Sequence, residues 1–305
     1  MTEHFYSNGK LLLTGEYAVL DGATALAIPT KYGQTLQVSK LPERKLTWKS
    51  YDQNNKVWFQ CDLNPEQLSS STAVTFTTNT ETSATLLHIL QEAQRQNSDF
   101  LKDSEGYKIE TKVDFPTEWG LGTSSTLINN IAQWAQVNAF ELLNNTMGGS
   151  GYDIACAQND TPILYTKNNE VTVEKINFNP LFRSNLFFVF LNKKQNSRNA
   201  ITHYRKADFN KVSLITRLND ITFKIAYCED LRNFEILIQQ HEQFLSEALG
   251  QPTVKSLLFS DYKGAIKSLG AWGGDFILAT GNNATIDYFT KKGYHTIIPY
   301  SEMIL

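Results

Sequence analysis

The hexapeptide Gly120-Leu121-Gly122-Thr123-Ser124-Ser125 constrains this chain more than any other stretch. Before it, Tyr107 to Val113 alternates apolar and polar residues, which predicts a strand running towards Pro116. After it, Leu127, Ile128, Ile131, Ala132, Trp134 and Ala135 fall at helical spacing. A strand, a glycine–hydroxyl loop and a helix start, in that order, suit a bound anion. Glycine lets the backbone come close to a bulky ligand. The N–H groups and dipole of a helix start favour phosphate. The hydroxyls of Thr123, Ser124 and Ser125 can bind phosphate oxygens or a hydrated Mg²⁺. No lysine follows the glycines, so this is not a GxxxxGK[ST] loop. Taken alone, the hexapeptide reads equally well as a glycine turn with hydroxyl caps.

Three more constellations carry polar chemistry. Gly148-Gly149-Ser150-Gly151-Tyr152-Asp153 puts one carboxylate after three glycines, either as a site acid or as the cap of a helix at Ile154 to Gln158. The run from Ser268 to Asp275, with Gly270, Gly273 and Gly274, precedes an apolar strand. It reads as a bulged loop or as a close approach to a ligand. Near the start, Ser7-Asn8-Gly9-Lys10 leads through an apolar run to Thr14-Gly15-Glu16-Tyr17, with Lys10 either an edge charge or a site cation.

Composition removes several classes. The chain has 305 residues, 41% hydrophobic and 12% aromatic, which suffices for a sizeable core and excludes a disordered or collagen-like chain. Its net charge of −3 gives no basic footprint for nucleic acid as main partner. Apolar runs such as Leu186 to Leu191 fall short of the ~20 residues of a membrane-spanning helix, so no membrane partner is expected. The first residues lack a basic n-region, and Glu16 interrupts the apolar run, so they do not read as a signal peptide. Cys61, Cys156 and Cys228 form no CxxC pair, which fits a reducing cytoplasm. The five histidines form no HExxH pattern and read as surface or core residues.

Short β-leaning runs at Leu11 to Leu13, Ala25 to Ile28 and Thr35 to Ser39, broken by glycines, open the chain. Leu46 to Tyr51 and Lys56 to Cys61 flank a turn and predict a hairpin. Thr82 to Asn97 predicts a helix, and Asn185 to Leu191 a strand covered on both faces. Ser197 to Lys267 is mostly helical in pattern. The shift from strand-rich to helix-rich sequence suggests two domains, 1–180 and 181–305.

Together, the four constellations resemble the motifs of the GHMP kinase superfamily (galactokinase, homoserine kinase, mevalonate kinase and phosphomevalonate kinase). The first motif resembles Ser7 to Leu20. The second is matched by Pro116 to Ser125, the SGxD segment by Ser150 to Asp153, and the third motif by Lys267 to Asp275. Glu16-Tyr17-Ala18-Val19-Leu20 looks like the GEYAV segment of phosphomevalonate kinases, and the isoprenoid branch fits best. The pattern departs at Asn8, where proline is usual, at Thr123, which replaces a serine, and at Trp272, which replaces a glycine.

The resemblance implies an α+β fold: a ribosomal-protein-S5-domain-2-like N-terminal domain and a ferredoxin-like C-terminal domain. It implies a cytoplasmic kinase of the mevalonate pathway, with ATP and Mg²⁺ as cofactors and a small anionic acceptor, mevalonate or phosphomevalonate. A sugar kinase or a non-catalytic ligand-binding homologue are the alternatives. Asp153 and Lys10 would be the catalytic pair. Gly120, Leu121, Gly122, Thr123, Ser124, Ser125, Gly273 and Gly274 would hold the nucleotide. Ser124 would face the metal. The segment between Ser124 and Asp153 is short for a mevalonate kinase and lacks the stretch that normally carries the Mg²⁺-holding glutamate; Glu141 is the nearest acid.

Overall fold

The structure of this chain is a computed structural model, and it describes residues 2–64, 68, 80–102, 105–194 and 197–305. The fold is mixed α/β. Among the described residues it has a seven-stranded sheet, a four-stranded sheet and packed helices. Two compact units share the chain, and each is built from three separate stretches of sequence. Met1–Gly9, Tyr32–Thr117 and Gly122–Gln158 form one; Lys10–Lys31, Glu118–Leu121 and Asn159–Leu305 form the other. Residue 180, where the composition shifts, lies inside the second unit.

The first unit contains the start of β1 (Thr2–Leu12), most of β2 (Ala25–Leu41), β3 (Leu46–Tyr51), β4 (Val57–Leu63), α1 (Thr80–Gln96), β5 (Gly106–Val113), α2 (Thr123–Ala135), α3 (Ala139–Thr146) and α4 (Tyr152–Ala157). β3 and β4 form the expected antiparallel hairpin. The Asp52 side chain closes its turn by accepting the N–H groups of Asn54 and Lys56 at 2.9 and 2.8 Å. β3 runs parallel to β5, and β5 runs antiparallel to Gln34–Leu41 of β2. The helices cover this sheet with Leu86, Ile89, Leu90, Ile128, Ile131 and Leu142, which meet Trp48, Phe59 and Ile109 in one core. Each helix buries residues three and four apart, the periodicity that predicted α1 and α2.

β2 departs from expectation. It is one strand of 17 residues, and Gly33 does not break it. Gly33 is there for close approach: a Cβ built on it would overlap the Ser7 carbonyl of β1. Its N–H donates to Asp114 Oδ1 at 2.7 Å and its carbonyl accepts the Asp114 N–H at 3.2 Å.

The second unit contains β6 (Ile163–Lys167), β7 (Val171–Lys175), β8 (Leu186–Phe190), α5 (Ser197–Lys206), α6 (Lys211–Ala226), α7 (Leu231–Leu249), α8 (Val254–Leu258), β9 (Ile266–Leu269), β10 (Phe276–Thr280), α9 (Ala284–Lys291), β11 (Ile297–Pro299) and α10 (Tyr300–Met303). Here Ala25–Ala27 of β2 pair antiparallel with β6, which pairs with β7. The smaller sheet has the order β11-β8-β10-β9, antiparallel throughout. All five residues of β8 are buried, as its unbroken apolar run requires. The helical reading of Ser197 to Lys267 overlooked β9. Its four residues are all buried, yet a lysine and a serine at its centre hide the strand signal. No helix among the described residues is long and apolar enough to cross a membrane.

Gly33→Ala is expected to cost about 1–3 kcal/mol, the usual range for overpacking a filled site. Urea unfolding measures this, and an unchanged midpoint would show that β1 yields without cost.

Candidate functional site

In the first unit the glycine loop becomes the start of α2. Gly122 caps the helix in the left-handed conformation (φ 91°, ψ 38°) and has no side chain to bond the first-turn N–H groups. Those donors and the helix dipole form a ready anion site. Ser124 is exposed there, whereas Ser125 is buried and donates to Asp153 Oδ2 at 3.2 Å. Asp153 is half-buried in the first turn of α4. Gly151 occupies the cap position, so the reading of Asp153 as a cap does not hold.

A polar ladder fixes α2 against the strands beneath it. Ser7 Oγ donates to Asn130 Oδ1 at 2.7 Å and accepts from Asn129 Nδ2 at 2.9 Å. Asn130 Nδ2 donates to the Gln34 carbonyl at 2.9 Å, and Thr126 Oγ1 donates to Gln34 Oε1 at 2.7 Å. Gln158, just past α4, donates to Asn129 Oδ1 at 3.0 Å and ties that helix to α2. Asn129 and Asn130 are buried, so each bond replaces water that cannot enter.

A cavity of about 410 Å³ opens beside Thr123 and Ser124. Its walls are mostly apolar: Trp48, Trp58, Phe59, Leu86, Leu127 and Met147. Trp58 is 48% exposed, which leaves an aromatic face for a ligand.

In the second unit Lys10 pins the first half of the loop. Its Nζ donates to the Gly120 carbonyl at 3.1 Å, and its backbone N–H donates to the Leu121 carbonyl at 3.0 Å. On the other side of Gly120 stands the Asp275 carboxylate; a Cβ on Gly120 would lie 2.7 Å from it. Gly120 also has φ +68°, so both geometry and space select glycine. Trp119 packs edge-on against Phe276, with ring centres 5.5 Å apart. Gly273 and Gly274 follow Trp272, whose N–H donates to Tyr17 Oη at 2.7 Å.

Tyr17 is held in a rare conformation. It has φ 60° and ψ −48°, and the Ala18 N–H reaches the Glu16 carbonyl at 2.6 Å. This is a γ-turn of the strained hand, which costs about 1–3 kcal/mol. The Tyr17 ring stacks on Tyr204 at 5.5 Å. It lines a second cavity, of about 300 Å³, with Asn199, His203, Gln251 and Trp272. Burial pushes the Tyr17 hydroxyl up to about 12, so it stays protonated.

Behind this turn lies a buried ionic cluster. Lys267 is fully buried and donates to Glu16 Oε1 and to the Ser268 carbonyl, the latter at 2.6 Å. Glu242 Oε1 lies 3.1 Å from the same ammonium, and Glu242 Oε2 accepts from Ser268 Oγ at 2.8 Å. His241 Nε2 accepts the Gly15 N–H at 3.0 Å. Burial first, then the Lys267 charge, holds this imidazole well below its ordinary value, so it is neutral. Its 3.4 Å approach to Glu16 is therefore no ion pair. Burial raises both carboxyls against the pull of Lys267, Glu16 to about 7. The coulombic attraction of Glu16 and Glu242 outweighs burial at Lys267 and raises its pKa further above 10.5.

The structure thus gathers Gly122, Thr123, Ser124, Ser125 and Asp153 in one unit. It gathers Lys10, Gly120, Leu121, Gly273 and Gly274 in the other. It does not join Glu141 to Ser124. Glu141 sits in the first turn of α3, where its charge reaches Arg95 at the end of α1. Asn97, just past α1, bonds the carbonyl of Ala135, so this is the far end of α2, roughly 16 Å of helix from Ser124. Among the described residues no group of three or more His, Cys, Asp or Glu side chains could hold a metal. The helix start fits an anion, but Ser124 and Glu141, the residues expected for Mg²⁺, do not assemble a metal site.

Sequence reading gave Asp275, Lys267, His241, Glu242 and Trp58 no role. One signal was available: His241 and Glu242 occupy the buried register of α7, between Ile238 and Leu245.

No protein-family model matches the sequence, and no curated protein matches it either. Solved structures do. A mevalonate kinase superposes with a TM-score of 0.74 at 16% identity, covering 97% of this chain and 98% of that one. A Streptococcus pneumoniae phosphomevalonate kinase, in complex with phosphomevalonate and AMPPNP, gives 0.66 at 16%, with 95% of both chains covered. A Lactococcus lactis galactokinase complexed with galactose gives 0.67 at 13%, covering 95% and 88%. These neighbours are GHMP kinases, the superfamily the motifs resemble. At such identities the likeness establishes the fold.

Gly120→Ala is expected to destabilise the protein, and a second change, Asp275→Ser, to recover part of the loss. The two sites should couple by about 0.5–3 kcal/mol in a double-mutant cycle. Additive effects on chemical unfolding would mean that the carboxylate does not set the space above Gly120.

Proposed function

We propose that this chain is an ATP-dependent kinase that transfers a phosphoryl group to an alcohol or phosphate oxygen of a small anionic acceptor, with mevalonate and phosphomevalonate the first candidates. One observation carries the reading. In a fold shared with known kinases, the uncapped start of α2 and its exposed Ser124 border an aromatic-walled cavity. A row of unpaired N–H donors suits phosphates, and apolar walls with an open Trp58 face suit a nucleobase.

ATP supplies the phosphoryl group. The chain supplies position and charge, which is most of what such a transfer needs. On this reading Gly120 to Ser125 hold the phosphates, with Gly273 and Gly274 supporting the loop. Asp153, fixed by Ser125, orients the acceptor or, where the acceptor is an alcohol, takes up its hydroxyl proton. Lys10 offsets the charge of the moving group.

A non-catalytic ligand-binding role is the second reading, favoured by the separation of Glu141 from Ser124. ADP release measured against mevalonate, phosphomevalonate, homoserine and simple sugars decides between them. Nucleotide binding without turnover on any acceptor supports the binder. Asp153→Asn should lower turnover at least ~100-fold while nucleotide still binds in calorimetry, the usual loss for a positioned acid–base group. Trp58→Ala should weaken nucleotide binding about tenfold, as expected for one lost base–aromatic stack. Unchanged affinity would place the base elsewhere.

A further inference from the structure

The turn that carries Tyr17 is gripped from three sides within the second unit. The Gly15 N–H is bonded to His241 of α7 at 3.0 Å. The Glu16 side chain is bonded to Lys267 of β9. Tyr17 Oη accepts the Trp272 N–H at 2.7 Å. A strained backbone persists only where its surroundings over-determine it. Apolar residues could fill the same buried volume without desolvating ions. Ions add direction instead. The Lys267 ammonium has three N–H donors: two bond the Glu16 carboxylate and the Ser268 carbonyl, and Glu242 Oε1 stands 3.1 Å away. That one group fixes the first-motif turn, a helix and the strand entering the third-motif loop.

We propose that Lys267, Glu242 and His241 are positioning residues: through Glu16 they hold Tyr17 in the wall of the roughly 300 Å³ cavity it shares with Trp272, and so set affinity for the small-molecule acceptor. The role in acceptor affinity rests on the kinase reading; the coupling of Glu16 to Tyr17 and Trp272 does not.

The cluster has a chemical handle. Facing Glu16 are Lys267 from β9, neutral His241 and Glu242 from α7, and the protonated Tyr17 beside it; Asp275 also acts on Tyr17. Burial above all, with the Glu242 charge adding to it, outweighs the pull of Lys267, so Glu16 ionises only as pH rises through about 7. Because its folded value exceeds the ordinary 4.5, its contribution to stability is complete below that value and is lost as pH rises through about 7.

The test uses the full chain with ¹⁵N-labelled tryptophan, the Trp272 amide being assigned by Trp272→Phe. In the native protein this amide resonance should titrate with a midpoint of about 7, and in Glu16→Gln the titration should vanish. A flat native trace, or a titration that survives Glu16→Gln, overturns the coupling. The paired change Glu242→Gln with Lys267→Met removes an acid and an ammonium together, which avoids stranding a buried charge. If the cluster positions Tyr17, this variant keeps near-native stability while acceptor KM rises about tenfold and kcat stays within about threefold. If acceptor KM is native in the stable double variant, the cluster only packs and the proposal falls. If the native chain phosphorylates no acceptor, the kinase reading fails separately, and the amide titration still decides the positioning claim.

Discussion

One ammonium, deep in the second unit, organises the segments that matter most. Lys267 joins β9, α7 and the turn after β1, which are far apart in the sequence. Removing one partner from such a buried set leaves an uncompensated charge, typically a loss of about 3–5 kcal/mol. The residues before the strained Tyr17 turn are bonded into this cluster, Gly15 to His241 and Glu16 to Lys267. The bond from Trp272 to Tyr17 then carries the constraint into the glycine-rich loop.

The first unit uses neutral groups for the equivalent task. Ser7, Gln34, Thr126, Asn129 and Asn130 form a buried hydrogen-bond ladder under α2. Such networks rigidify only when each member is satisfied. Here they fix the register of α2, and through Gln158 and Ser125 they fix α4 and Asp153. The uncapped helix start therefore sits on a firm base while its own donors stay open.

Much of this was legible in the sequence. The hairpin at Leu46–Leu63, the helices α1 and α2 and the buried β8 each have a clear period or an unbroken apolar run. The strand–loop–helix order around Gly120 also held. What stayed hidden depends on contacts that periodicity does not encode. Gly33 looked like a breaker because its partner, the Ser7 carbonyl, is 26 residues away. β9 looked helical because Lys267 reads as a solvent-facing residue until two distant carboxylates are set against it. Glu141 stood out as the one acid between Ser124 and Asp153 in the sequence, but a helix of 13 residues carries the chain away before α3 begins.

The bare cap at Gly122 ties ligand affinity to fragility. At φ 91° a side chain on this residue would be strained, so the position is kept for glycine and the first-turn N–H groups have no side-chain acceptor beside them. The helix thereby forgoes the roughly 1 kcal/mol that a capping side chain supplies, and the same few hydrogen atoms stay open to a phosphate.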